Sequence, residues 1–239
     1  MLTKDNLIPS SSLILARDSN NGVEVFLMKR AQKSNFGGVW VFPGGILEKL
    51  DQVISINDYC NGISETEAKD ILNNDSDSLP YWIASLRETF EETGALIANR
   101  YDNSHFIPTT KEAETLVDLR SDLLKGNIAF DSILKELGLK MALDRLVYVS
   151  HWITPKVETK RYTTRFFLTT FNEDYLLTHD GIEGTDSKWI GVEDVLQAND
   201  AGTISLIMPT IKNLESISNY KNTADLIKAK TIVKSKDIP

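Results

Sequence analysis

Three glutamates in the stretch Leu86–Ala95 constrain this chain more than any other feature of its sequence. Glu88, Glu91 and Glu92 stand at positions i, i+3 and i+4, a spacing that places their carboxylates on one face of an α-helix. Like charges at this spacing repel one another, so a compensating cation is expected. Arg87 is the adjacent base, and Mg2+ or Mn2+ would bind both these oxygens and those of a phosphate. The stretch therefore predicts either a solvated acidic surface or a metal-dependent phosphate site.

A glycine turn upstream of the glutamates favours the second interpretation. The β-rich run Val41-Phe42 ends at Pro43-Gly44-Gly45, where glycines permit positive φ and a close approach of the backbone to a ligand. Gly94 follows the glutamates, at the point where a helix end favours a left-handed residue. The order is therefore a glycine turn, an acidic helix and a glycine stop.

This order resembles the signature of the Nudix hydrolases, G-x5-E-x7-R-E-U-x-E-E-x-G-U, in which U is aliphatic. Gly45 stands at the first glycine, Asp51 at the first acidic position and Gly94 at the closing glycine. Arg87-Glu88 matches the R-E pair, and Glu91-Glu92 matches the E-E pair.

The chain departs from that pattern in three ways. Asp51 is a shorter carboxylate than the family's glutamate, and Thr89 and Ala95 stand at aliphatic positions. The family spacing would put the arginine at position 59, where Tyr59 stands, so an insertion interrupts the signature before Arg87.

The resemblance implies an α/β fold, a Nudix-type α/β/α sandwich with a mixed central sheet and helical insertions. We expect one domain over residues 1–239, with insertions at about 52–86 and about 110–140. Asn21-Gly22 between two apolar runs predicts a β-hairpin. Ser64 and Glu67 predict a capped helix within the first insertion, and Pro80 suits the first turn of the helix that carries the glutamates. Residues 56–74 are expected only to decorate the site.

By resemblance, Glu88, Glu91 and Glu92 hold Mg2+ or Mn2+. Glu91, Arg87 and Glu183 are the catalytic candidates: Arg87 would fix the rotamer of a carboxylate, and Glu183 would supply a further carboxylate from a loop. A divalent ion and an oriented carboxylate are what attack of water on a diphosphate requires.

Substrate-binding candidates come from the glycine turn and from basic residues elsewhere in the chain. They are Gly44, Gly45, Arg30, Lys33, Arg161 and Arg165. The segments 151–155 (HWITP) and 161–167 (RYTTRFF) resemble the coenzyme A diphosphatase subgroup. That resemblance implies cleavage of coenzyme A or acyl-coenzyme A to 3′,5′-ADP and (acyl-)4′-phosphopantetheine.

Two alternatives stay open at this point. A pyrophosphatase for ADP-ribose or a nucleotide sugar would need no contact with a 3′-phosphate. A non-catalytic Nudix-fold ligand sensor would usually have lost the acidic residues that this chain retains.

The composition of the chain limits the kinds of molecule that it is expected to bind. The net charge of −8 disfavours nonspecific nucleic-acid binding, and no apolar run reaches the roughly 18 residues of a membrane span. Cys60 is the single cysteine, so an intrachain disulfide is excluded and a reducing compartment is expected. We therefore expect a cytoplasmic enzyme of a small nucleoside diphosphate derivative, with its oligomeric state open and a homodimer among the options.

Overall fold

The computed structural model describes residues 6–33, 37–54, 56–74, 77–171 and 177–232. Its strands are β1 (Ile8–Ser19), β2 (Gly22–Arg30), β3 (Trp40–Val41), β4 (Gly44–Ile46), β5 (Cys60–Asn61), β6 (Ala98–Arg100), β7 (Leu139–Ala142), β8 (Val147–Ile153), β9 (Tyr162–Thr170) and β10 (Gly184–Gly191). Its helices are α1 (Lys49–Val53), α2 (Ile56–Tyr59), α3 (Glu65–Leu72), α4 (Leu79–Thr93), α5 (Thr110–Leu124), α6 (Phe130–Leu137), α7 (Val192–Asp200), α8 (Met208–Glu215) and α9 (Thr223–Ile232).

The main sheet is mixed, as expected. Its order is β10-β2-β1-β9-β8, with β3 paired to β2 and β4 paired to β1. β1 and β9 run parallel, whereas the other neighbours in this sheet are antiparallel. The predicted hairpin is confirmed: Ser19 pairs with Gly22 across a two-residue turn. β1 therefore has β4 on one side of its first half and β9 on the other.

Helices cover both faces of this sheet, which confirms the α/β/α sandwich. Alternate residues along the strands belong to two separate hydrophobic clusters, as the two-residue period of a strand requires. One cluster combines Leu13, Phe26 and Phe167 with Trp82 and Phe90 of α4. The other combines Ile14, Val25 and Leu168 with side chains of α7, α8 and α9, among them Val195, Leu214 and Leu226.

A second sheet, β5-β7-β6, was not anticipated from the sequence, and it corrects one expectation. Residues 56–74 do not merely decorate the site, because β5 pairs in parallel with β7. Cys60, Ala68 and Leu72 are buried in the same cluster as Trp82. The insertion is therefore part of the hydrophobic core, and its removal would expose that core.

The acidic helix α4 has a defined start and end, and most of its residues are buried. Pro80 stands in its first turn, and Gly94 ends it in a left-handed conformation with φ of 82°. The helix before it, α3, begins with the predicted capping box of Ser64 and Glu67. One face of α4 is therefore anchored in the core, and the last turns present the glutamates toward β4.

No helix in the described part of the chain is both long enough and apolar enough to cross a membrane.

Candidate active site

The glycine turn and the acidic helix meet directly. The Gly44 N–H donates a hydrogen bond of 2.7 Å to Glu92 Oε2. A Cβ atom on Gly45 would overlap the carboxyl group of Glu88, and one on Gly44 would overlap the backbone of Ser11. Any larger residue at Gly44 or Gly45 would therefore displace the strand β4 or a glutamate.

Arg87 joins the two halves of the interrupted signature. Its Nε and Nη2 donate to the two carboxylate oxygens of Asp51 at 2.8 and 3.0 Å, the bidentate geometry that suits guanidinium and carboxylate. Nη2 also donates to the Ile46 carbonyl at 3.1 Å, and Asp51 accepts the Glu48 N–H at 2.7 Å. The Arg87 and Asp51 side chains are 2% and 0% exposed, so this pair is a buried structural link.

The same guanidinium also binds two of the predicted metal ligands. Arg87 Nη1 lies 3.0 Å from Glu88 Oε1 and 3.1 Å from Glu91 Oε2. Its burial and these contacts place Arg87 behind the glutamates, where it fixes their rotamers. We call Asp51, Glu88, Glu91 and Glu92, with Arg87, the acidic cluster.

Burial and mutual repulsion disfavour the ionised glutamates. Burial raises the pKa of the Glu88 carboxyl from 4.5 to about 7; the Arg87 charge opposes this shift and the Glu91 charge adds to it. Burial also raises the pKa of Glu92 well above 4.5, and the Glu88 charge adds to that shift. Glu91 shifts upward for the same first reason, burial, again opposed by Arg87. A bound proton or a nearby metal cation would therefore stabilise each of these carboxyl groups.

The acidic cluster fits a hard divalent cation in its chemistry. Three carboxylates share the guanidinium of Arg87 and the Glu92 carboxyl lies beside them, and carboxylate oxygens are the ligands that Mg2+ and Mn2+ prefer. Among the described residues, no three acidic, histidine or cysteine side chains already enclose a volume that could hold an ion. Glu88, Glu91 and Glu92 remain the predicted ligands of such an ion.

The loop that carries Glu183 lies beside this cluster. The charge of Glu183 contributes to the raised pKa of Glu92, and the Glu183 carbonyl accepts the Ala31 N–H at 2.8 Å. Asp180 shapes the loop by accepting the N–H groups of Ile182, Glu183 and Gly184 at 2.9–3.1 Å. The Glu183 side chain itself is exposed, so it is free to turn toward a ligand.

Arg120 of α5 lies between the acidic helix and this loop, and sequence reasoning missed it. Its Nε donates to the Glu91 carbonyl at 2.9 Å, and Nη1 lies 3.4 Å from Thr178 Oγ1. The charges of Asp180 and Glu92 act on it, while its Nη2 is buried without a hydrogen-bond partner. Arg120 stands in an unremarkable amphipathic helix, so no local signal could have identified it.

The basic residues predicted to bind substrate are spread over the site. Arg30 ends β2, is half-buried beside Glu92, and pairs with Gly184 of β10. Lys33 is exposed in the turn that follows. Arg161 lies just before β9, where its Nε donates to the Thr154 carbonyl at 3.0 Å. Arg165 is inside β9 and bonds to Tyr148, so the two arginines lie in different surroundings.

A direct match to a family model identifies the family of this chain, in agreement with its fold. The model of the NUDT19 Nudix domain matches residues 62–217, more than half of the chain. The chain therefore belongs to the Nudix hydrolases, in the NUDT19 group, and the predicted resemblance is confirmed. The glycine turn and Asp51 precede the matched range, so their place in the site rests on the geometry above.

Individual relatives agree with this assignment. The chain is 27% identical over 246 residues to the Xenopus laevis acyl-coenzyme A diphosphatase NUDT19, covering 89% of this chain and 64% of that protein. It is 24% identical over 214 residues to a Caenorhabditis elegans protein assigned to the nudix hydrolases, with 89% and 61% covered. The chain thus spans less than two thirds of these relatives' length.

A solved structure shares the architecture over nearly the whole chain. The NUDIX hydrolase from Alicyclobacillus acidocaldarius superposes with a TM-score of 0.79, covering 98% of this chain and 99% of that one. At 24% identity, this likeness supports the fold alone.

Proposed function

We propose that this protein hydrolyses the diphosphate bond of a nucleoside diphosphate derivative with the help of Mg2+ or Mn2+. The substrate we propose is coenzyme A or acyl-coenzyme A, which would give 3′,5′-ADP and (acyl-)4′-phosphopantetheine. The observation that carries this proposal is the acidic cluster, in which Glu88 and Glu92 are held against Gly45 and Gly44.

Each residue of the cluster has a distinct task in this proposal. Glu92 is oriented by the Gly44 N–H, and Glu88 and Glu91 by Arg87. The bound metal would neutralise phosphate oxygens that otherwise repel the attacking water. Glu91 and Glu183 are the candidates to orient that water and accept its proton as its oxygen bonds to phosphorus and the P–O–P bridge breaks.

The choice of coenzyme A rests on the relatives and on the charge distribution. The Xenopus laevis relative is named an acyl-coenzyme A diphosphatase. The chain's own net charge is −8, so an anionic substrate needs local cations near the cluster. Arg30 and Arg165 are half-buried examples on the same sheet.

Product analysis tests the proposal. The purified protein is incubated with coenzyme A, ADP-ribose or a nucleotide sugar in Mg2+, in Mn2+ or in excess EDTA, and the products are separated. We expect metal-dependent release of 3′,5′-ADP from coenzyme A at the highest kcat/KM. Preferred cleavage of ADP-ribose would favour the pyrophosphatase alternative, and tight binding without turnover of any diphosphate would favour the sensor.

A further inference from the structure

One row of paired residues crosses the main sheet from the glycine turn to its far edge. Gly45 of β4 pairs with Ser11 of β1, Ser11 pairs with Arg165 of β9, and Arg165 pairs with His151 of β8. Directly paired residues point to the same face of a sheet, and here that face is the one covered by α4, because Glu88 occupies the space above Gly45. Arg165 therefore lies on the same face as the acidic cluster.

The strand pairing also sets the distance between Arg165 and the acidic cluster. Neighbouring strands lie about 4.8 Å apart, so the Cα atoms of Gly45 and Arg165, two strands apart, are separated by roughly 10 Å. An arginine side chain spans much of that gap. A molecule with its diphosphate at the acidic cluster could therefore reach Arg165 with a group a few bonds away.

Arg165 is held by neutral groups. Its Nη1 lies 2.9 Å from the Tyr148 hydroxyl, and its guanidinium carbon lies 5.9 Å from the ring centres of both Tyr81 and Tyr148. Burial raises the pKa of each tyrosine, so both hydroxyls keep their protons at neutral pH. Among the described residues no carboxylate pairs with Arg165, and its Nε is buried without a hydrogen-bond partner.

His151 adds no second positive charge beside this arginine. Its Nε2 lies 2.7 Å from Thr163 Oγ1. Burial lowers the pKa of His151 to about 4, and the Arg165 charge adds to that shift, so the ring is neutral. We call Arg165, Tyr81, Tyr148 and His151 the arginine pocket.

We propose that the arginine pocket binds a phosphate monoester of the substrate that is separate from the diphosphate being cleaved. A phosphate would accept from the free Nε of Arg165. It would also accept from the Tyr148 hydroxyl, which keeps its own hydrogen while it accepts from Nη1. This inference rests on the proposed function, and it makes the 3′-phosphate of coenzyme A the group that distinguishes this substrate from dephospho-coenzyme A.

A binding experiment tests the pocket without requiring turnover. Calorimetric titration compares adenosine 3′,5′-bisphosphate with AMP, on the wild type, Arg165→Ala and Tyr148→Phe. We expect the wild type to bind the bisphosphate about tenfold more tightly, because one charge-assisted contact is lost with AMP. Arg165→Ala should abolish that preference, and Tyr148→Phe, which removes only a hydroxyl, should reduce it about threefold.

Arg17→Ala is the control, because Arg17 is an arginine of β1 in the same sheet whose charge is paired with Glu24. It should keep the full preference for the bisphosphate. Equal affinities of the wild type for the bisphosphate and AMP would overturn the proposed role of the arginine pocket. A preference for the bisphosphate that survives in Arg165→Ala, with the thermal stability unchanged, would overturn it as well.

Kinetics then separate this inference from the proposed function. Arg165→Ala should raise the KM for coenzyme A about tenfold and leave that for dephospho-coenzyme A and the kcat nearly unchanged. If the wild type binds the bisphosphate selectively but cleaves no diphosphate, the proposed function fails and the pocket stands. If coenzyme A and its dephospho form are cleaved with the same KM, the pocket fails and the diphosphatase stands.

Discussion

The acidic cluster and the arginine pocket lie on one face of the same sheet, and they differ in how their charge is balanced. In the acidic cluster, the single guanidinium of Arg87 contacts three carboxylates, those of Asp51, Glu88 and Glu91, and Glu92 lies beside them. In the pocket, Arg165 is contacted by tyrosine hydroxyls and rings. Each region has an excess of one sign, so each would be stabilised by a partner of the opposite sign, for which we propose a metal cation in the first and an anion in the second.

Glu92→Gln tests the negative region and should have the largest effect. It removes a charge at nearly constant shape, and the loss of several kcal/mol of metal-borne stabilisation would lower kcat/KM about 10³-fold or more. Glu136→Gln, on the exposed side of α6, is the control and should retain full activity. Comparable turnover by Glu92→Gln and wild type at saturating Mg2+ would remove Glu92 from the metal site.

Arg87→Met tests whether the buried pair with Asp51 holds the negative region together. It leaves Asp51 buried without a cation, so we expect about 3–5 kcal/mol of lost unfolding free energy in urea titrations. The double variant Asp51→Asn/Arg87→Met removes the unpaired charge and should recover part of this stability. A double variant that is no more stable than Arg87→Met would show that the pair matters by shape rather than by charge.

A pH titration of stability sharpens the comparison, because the two regions should respond with opposite signs. The pKa of Glu88 is about 7 in the folded protein, against the ordinary value of 4.5 that applies to the unfolded chain. The folded state therefore binds more protons than the unfolded state between these two pH values. The Glu88 contribution to stability without metal should therefore fall as pH rises from about 4.5 to about 7, by on the order of 2 kcal/mol, whereas the His151 contribution should rise with pH above about 4. The difference in thermal stability between the wild type and Glu88→Gln isolates the first contribution, and a difference that does not change with pH would contradict it.

Arg120→Ala tests the link between the negative region and the Glu183 loop, and its effect should be the smallest. Because Arg120 touches the Glu91 carbonyl and Thr178, its loss should misplace the carboxylates and lower kcat about tenfold with little change in KM. Arg120→Lys should recover part of kcat, and Lys111→Ala, exposed at the start of the same helix, should have no effect. A change in KM alone would instead indicate direct contact between Arg120 and the substrate.

The negative region could be predicted from the sequence because its determinants are local. The spacing of Glu88, Glu91 and Glu92 defines a helix face, and Pro80 and Gly94 mark the bounds of that helix. The family pattern gives Asp51 a place in the signature and predicts a carboxylate partner for Arg87, but it does not say that the two pair, because the bond joins residues 36 positions apart.

The positive region could not be predicted as a unit. The sequence singles out Arg165, but Tyr148 meets it only through the register of β8 and β9, and Tyr81 only through the packing of α4 on the sheet. The sheet β5-β7-β6 was missed for a related reason: its strands have two to four residues, too short for a periodic pattern to be read. Side chains brought together by strand pairing leave no local signature.

The bond between Arg87 and Asp51 also explains how the family signature tolerates its interruption. The family spacing would close a loop of about eight residues, whereas this bond closes one of 36. Closure entropy grows only with the logarithm of loop length, so the longer segment costs about 1.3 kcal/mol more if it is unstructured. The segment here is ordered, and burial of Cys60, Ala68 and Leu72 in the core offsets part of the backbone entropy that is lost when it folds. A segment inserted into a signature can thus lengthen it without separating the two residues that close the loop, provided that the segment brings buried side chains of its own.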